Sequence, residues 1–260
     1  MTTSAEAQQS APDPASQSNF YKGAQTKHLH LDWTVDFDKK LIYGSAEHTV
    51  LVSKEGLTEF ILDTSYLRID KVYVEGKETE VKLHPRVPVV GSKLEVPLPS
   101  GLKKGQTVQV KIDYSTTSEC TALGWLEKEQ TSDGTHPFVY SQCQAIHARS
   151  LFPCQDTPAV KMTYSGAVQS SLDGCIPLLS ARRTSPPATE AAGKAGTVYH
   201  YDQPVPMPSY LVAIAGGSLA FKSLGSRSGV WAEPSVLKSA AVCLCFLHWL
   251  VLIGPSIVGI

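Results

Sequence analysis

An excess of charge of one sign, metal-ligand spacing, phosphate-binding glycines and a secretory leader are all missing from this sequence. Each absence argues against a class of function. The chain carries 23 Lys+Arg against 24 Asp+Glu, a formal net charge of −1 over 260 residues. A protein that grips nucleic acid through its phosphates needs a basic stripe to displace counterions, and a polyanion or membrane-surface binder needs a similar bias. Gly216-Gly217 lacks both the Lys-Ser/Thr of a phosphate loop and the glycine spacing of a dinucleotide fold. There is no Gly-x-Ser-x-Gly elbow. No two histidines stand at i, i+4, and His-Glu-x-x-His is absent. Residues 1–19 contain neither Lys nor Arg and no apolar core segment, so no secretory signal is expected. The 6 cysteines are sparse for a disulfide-stapled scaffold. Reduced thiols in a cytoplasmic protein are the expectation.

What is present points to β structure. The chain has 19 Gly and 17 Pro, which suits many turns and short strands rather than a helical bundle. Residues 1–19 are rich in Ala, Ser, Gln and Pro, and read as a disordered tail. From His28 to Phe37 polar and apolar residues alternate, which predicts a half-buried strand with Leu29, Leu31, Trp33, Val35 and Phe37 on the core face. Leu41 to Val52 reads as its hairpin partner across Asp38-Lys39-Lys40. Ile69–Val74 and Val81–Leu83 flank a tight-turn signal at Glu75-Gly76-Lys77. Leu94, Val96 and Leu98 alternate, as do Val108, Val110, Ile112 and Tyr114. The pattern predicts a mainly β protein with a large antiparallel or mixed sheet wet on one face. Residues 180–197 read as a polar loop. Val198–Tyr201 and Tyr210–Ala215 read as short strands separated by Pro204, Pro206 and Pro208.

The end of the chain breaks this pattern. Residues 239–260 carry no charge, and 240–253 are almost wholly apolar. A spanning helix needs about 20 apolar residues, and Gly254-Pro255 interrupts the run first. A buried helix and a weak membrane anchor are both open readings of it.

The densest polar stretch runs from Tyr140 to Pro158. Gln142 and Gln144 each offer a donor and an acceptor, which suits recognition of a polar ligand, and strand alternation would put them on one face. Two surface glutamines would look the same. Cys143 and His147 allow a thiol nucleophile with a base, but no flanking signature supports that pairing. His28 and His30 could hold a metal only with a third ligand, and Cys243-x-Cys245 lacks the two further ligands a zinc site needs.

The segment Ser141-Gln142-Cys143-Gln144-Ala145-Ile146-His147, continuing through Pro153-Cys154-Gln155-Asp156-Thr157-Pro158 to Val160-Lys161, resembles the signature of the leukotriene A-4 hydrolase and aminopeptidase B group of zinc aminopeptidases, in peptidase family M1. Pro204 to Leu211, Val230-Trp231-Ala232-Glu233 and the strand around Trp33 are similar as well. The resemblance implies a saddle-shaped N-terminal β domain over residues 20–238, which in that family precedes a thermolysin-like catalytic domain and a helical domain. It implies a substrate that is a peptide N-terminus or a lipid epoxide, and zinc as the parent family's cofactor. It implies that Gln144 helps bind the substrate's N-terminal end, that Gln142 lines the same polar pocket and that Ala145 lies beside it.

The departures are as informative. The family's Gly-Met-Glu-Asn exopeptidase motif, His-Glu-x-x-His and downstream Glu ligand do not occur in this sequence. Metal-assisted hydrolysis needs three protein ligands, an open metal position and a carboxylate base. The expectation is therefore a substrate-wall domain that holds no cofactor of its own and is inactive alone, with residues 239–260 as a tail foreign to the family. The alternative is a non-catalytic binding module that exposes the interface a catalytic domain would cover.

Overall fold

The structure, a computed structural model, describes residues 11–186, 193–225 and 228–243. The strands in chain order are β1 (Ala24–Asp36), β2 (Leu41–Val52), β3 (Glu59–Thr64), β4 (Arg68–Val74), β5 (Lys77–Glu78) and β6 (Lys82–Leu83). They continue with β7 (Ser92–Pro97), β8 (Thr107–Ser115), β9 (Leu123–Leu126), β10 (Phe138–Ser141), β11 (Met162–Ser170) and β12 (Ile176–Leu179). The last are β13 (Arg182–Ser185), β14 (Tyr199–Met207), β15 (Ile214–Gly217), β16 (Ala220–Ser223) and β17 (Gly229–Ala232). A one-turn helix, α1 (Ala148–Leu151), lies between β10 and β11.

An eight-stranded sheet has the order β13-β14-β11-β1-β2-β8-β4-β5, a four-stranded sheet the order β12-β15-β10-β9, and a three-stranded sheet the order β3-β7-β6. The protein is mainly β, and its large sheet is mixed: β1 and β11 run parallel, and the neighbouring pairs are antiparallel. The alternating residues explain the β1–β2 hairpin. Leu29, Leu31, Trp33 and Val35 are fully buried, joined by Ile42, Ala46, Val50 and Val52 of β2 and Val110 and Ile112 of β8. Burying side chains of this size stabilises the fold by about 1.5–3 kcal/mol each. Trp33 donates its indole N–H to the Tyr114 hydroxyl at 2.7 Å, so its one polar atom is satisfied inside the core. Gly44 faces Trp33 across the ladder, at φ 147°. A Cβ there would lie 1.9 Å from the Asp32 carbonyl oxygen, so only glycine fits.

Other expectations are corrected. The Glu75-Gly76-Lys77 turn joins β4 to β5; Lys82–Leu83 does not return to β4 but pairs with β7 in another sheet. β3 carried no alternation because its residues are buried on both faces, Asp63 and Thr64 included. The stretch 180–197 contains β13, not loop alone. Pro204 and Pro206 lie inside β14. There β13 no longer pairs beyond Asp202, and the register to β11 slips between Gln203 and Met207, so no ladder bond is lost to a missing N–H. Ser209–Leu211 form a 3₁₀ turn, and the strand begins only at Ile214.

Residues 16–19, expected in a disordered tail, instead pack on β3. Asn19 donates to the Glu59 carbonyl and accepts from the Ile61 N–H, both at 2.9 Å, and Ser18 and Asn19 are buried. Residues 1–10 lie outside the described residues. So does 244–260, most of the apolar run; the part described is helical over 237–243. Among the described residues no helix is long and apolar enough to cross a membrane.

Candidate functional site: the Gln142–Ala145 turn

β10 lies between β9 and β15 in the four-stranded sheet. It ends at Ser141, whose hydroxyl accepts the Ile214 N–H at 2.9 Å. The Gln142 N–H then bonds to the Ala122 carbonyl at 2.8 Å, and the chain turns. The Gln142 side-chain carbonyl accepts the Gln144 N–H at 3.0 Å, so a side chain takes the backbone donor that a strand ladder would have used. This corrects the strand expectation: Gln142 and Gln144 sit on a turn, not on one face of a strand. The Gln144–Ala145 peptide bond is cis. The His147 N–H closes the turn on the Cys143 carbonyl at 2.9 Å.

The turn still brings the three predicted residues together. Gln142, Gln144 and Ala145 are exposed, while Cys143 between them is buried. The Gln144 side-chain amide has no hydrogen-bond partner among the described residues. Cys143 is no nucleophile: burial pushes its thiol up to about 12. The His147 ring pairs with the Thr121 hydroxyl at 2.8 Å, not with sulfur. Cys120, Cys143, Cys154, Cys175 and Cys243 are all free.

Beneath the turn lies a buried polar hub that the sequence did not reveal. Arg149 of α1 is 1 % exposed; it donates Nε–H to Asp156 at 2.9 Å and guanidinium N–H to the Val90 and Asp156 carbonyls at 2.6 and 3.1 Å. The second oxygen of Asp156 accepts the Ser209 hydroxyl at 2.7 Å, and the Asp156 N–H bonds to Asp63 at 3.0 Å. Asp63 stands 3.9 Å from the guanidinium and also accepts the Ser16 hydroxyl and the Gln17 N–H, each at 2.6 Å. Burial pushes the Asp63 carboxyl up, while Arg149 and these donors pull it back. Arg and Asp flanking Pro153-Cys154 in an apolar setting were the available signal.

Gln155 and His48 fasten the same segment to the large sheet. Gln155 accepts the Thr26 N–H at 3.0 Å and donates to the Ala24 carbonyl at 2.7 Å, beside the irregularity in β1 at Thr26/His28. His48 Nε2 faces the Pro153 carbonyl at 3.1 Å and must donate, leaving Nδ1 to accept from the Thr26 hydroxyl at 3.1 Å. Burial lowers the His48 pKa to about 4, so the ring is neutral at pH 7.

The donor set does not fit a resident zinc. Among the described residues no three His, Cys, Asp or Glu side chains stand together as a metal site would need. His28 pairs with the Thr163 and Ser165 hydroxyls and His30 with Ser165, at 2.7–3.0 Å.

The Peptidase M1 N-terminal domain matches residues 19–211, which include the turn and Asp63, Arg149, Asp156 and Ser209 of the hub. The chain belongs to peptidase family M1, as its N-terminal domain. It is 40% identical over 230 residues to leucine aminopeptidase 2 of Phaeosphaeria nodorum, covering 86% of this chain and 36% of that protein. It is 41% identical over 212 residues to leukotriene A-4 hydrolase of Xenopus laevis, covering 82% of this chain and 34% of that one. The structure of native yeast LTA4 hydrolase aligns with TM-score 0.78 and 35% identity, over 91% of this chain and 35% of the yeast chain. An M1 zinc metallopeptidase E323A mutant from Deinococcus radiodurans shares the fold, with TM-score 0.61 at 24% identity. The chain thus spans about a third of the length of these relatives.

Proposed function

We propose that this M1 N-terminal domain is the substrate wall of an aminopeptidase of the leukotriene A-4 hydrolase type, and that it is inactive without a catalytic part. One observation carries the reading. The turn at Gln142–Ala145 presents an unpartnered amide at Gln144 on a base fixed by Cys143, α1 and the hub. The carbonyl oxygen of Gln144 can accept from the ammonium of a peptide N-terminus, and Gln142 has an amide NH₂ left to donate after its own oxygen is taken by the turn. Ala145 adds little bulk beside them.

Such groups bind and orient; they do not hydrolyse. On this reading a separate catalytic part supplies the bond-breaking chemistry; that the sequence carries no His-Glu-x-x-His supports it. A lipid epoxide is the second substrate class, because leukotriene A-4 hydrolase stands among the relatives. Free cysteines suit a reducing compartment, and the cytoplasm is where we place the protein.

The test joins residues 1–238 to the remainder of the yeast LTA4 hydrolase. The 260-residue chain alone should turn over no leucine p-nitroanilide, and the chimera should. In the chimera Gln144→Ala should raise KM by about tenfold, the loss of one hydrogen bond to a charged group. Turnover by the chain alone, or an unchanged KM, would overturn the reading.

A further inference from the structure

The polar hub joins the N-terminal segment to α1 through the Asp63 side chain, while the Asp63 backbone is bridged to Cys154, N–H to carbonyl at 2.8 Å and carbonyl to N–H at 3.2 Å. Its acceptor Asp63 is fully buried and takes three donors: the Ser16 hydroxyl, the Gln17 N–H and the Asp156 N–H. From Asp156 the path runs by a carboxylate bond to the Arg149 N–H and Nε–H. From α1 it runs on, because the Ser150 N–H and hydroxyl both bond to the His147 carbonyl at 3.0 Å, and the His147 N–H closes the turn. The Arg149 carbonyl is itself held by the Ser65 N–H at 2.8 Å, two residues past Asp63. A further tie, from the Gln17 side chain to the Gly91 carbonyl at 3.1 Å, sets the N-terminal segment beside Val90, the carbonyl that Arg149 grips.

We propose that Ser16 and Gln17 form a latch, and that Ser16 and Asp63 are positioning residues for the Gln142–Ala145 turn. The N-terminal segment closes over Asp63, Asp63 fixes Asp156 and Arg149, and these fix the end of the turn that carries Gln144. The proposal rests on the reading of the turn as a substrate-binding element. It extends that reading to two residues remote in sequence, Ser16 lying more than a hundred positions before the turn. Replacing the Ser16 hydroxyl by a group that cannot donate would leave the buried Asp63 carboxylate one partner short, and the loss would be felt first where its remaining partners lead.

The test is amide hydrogen exchange on the 260-residue chain, comparing Ser16→Ala and Ser16→Thr with the parent. The informative amides are Gln142, Gln144 and His147, with Leu31 and Val50 of the β1–β2 hairpin reporting global opening. Ser16→Ala should speed exchange at the turn by about tenfold and leave the hairpin unchanged, and Ser16→Thr, which keeps the hydroxyl, should restore the parent rate. Unchanged turn amides, or a rise in step with the hairpin, would overturn the latch. No substrate enters this measurement, so its failure is distinct from a failure of the binding reading, which the kinetics of the chimera decide alone.

Discussion

The β1–β2–β8 core and the Gln142–Thr157 segment share one apolar cluster, to which the segment contributes Leu151 and Phe152, but the segment adds a buried polar hub that the strands lack. The core is apolar and periodic: Leu29, Leu31, Trp33, Ile42, Val50 and Ile112 bury carbon against carbon. The segment is irregular, and beyond its buried Leu151 and Phe152 it is tied by charge and hydrogen bonds among Arg149, Asp156, Asp63, Gln155 and His48. Apolar packing is non-directional and tolerates small changes of shape. A buried polar hub is directional: complete, it holds one geometry, and broken, it leaves an uncompensated charge. On the proposed reading, the exposed turn keeps its amides aimed through the second kind of support.

The largest effect should come from breaking the hub. Arg149→Leu leaves Asp63 and Asp156 buried without their cation and should cost about 3–5 kcal/mol, read by urea unfolding at pH 7. A loss under about 1 kcal/mol would show that the segment is held by packing after all.

The next effect concerns pH and His48. In the unfolded chain this ring takes up a proton near pH 6.5, whereas in the folded chain it does so only near 4. The unfolded state therefore binds more protons across that window, and stability falls as pH drops from about 6.5 to 4, then levels. The shift corresponds to about 3 kcal/mol. His48→Gln should flatten this part of the stability–pH curve; an unchanged slope would place its origin elsewhere.

The smallest effect belongs to the apolar core. Ile112→Val removes one methylene from a close-packed sheet and should cost about 0.5–1.5 kcal/mol, with no change in turn-amide exchange. Faster exchange at Gln144 in this variant would blur the division between the two regions.

The same division decides what the sequence could reveal. β1, β2 and β8 were legible because one face of each is dry and the other wet, so residue identity alternates. β3 was hidden because both its faces are covered. The extent of β14 was hidden because prolines usually end a strand, and here they sit where one neighbour has stopped pairing. Strand alternation put Gln142 and Gln144 on one face, and the structure puts them on a turn. Their geometry depends on one side-chain oxygen capturing a backbone N–H, which no periodicity encodes. The hub was hidden because Ser16, Asp63, Arg149 and Asp156 meet only in the folded chain.

The most direct test of the central claim pairs two measurements on Gln144→Ala, KM in the chimera with the yeast catalytic part and urea stability of the chain. The side chain is exposed and unpartnered, so stability should move by less than about 0.5 kcal/mol, while KM for a peptide substrate rises by about tenfold. A fall in stability with KM unchanged would contradict the account, and make Gln144 a part of the scaffold and not of the substrate wall.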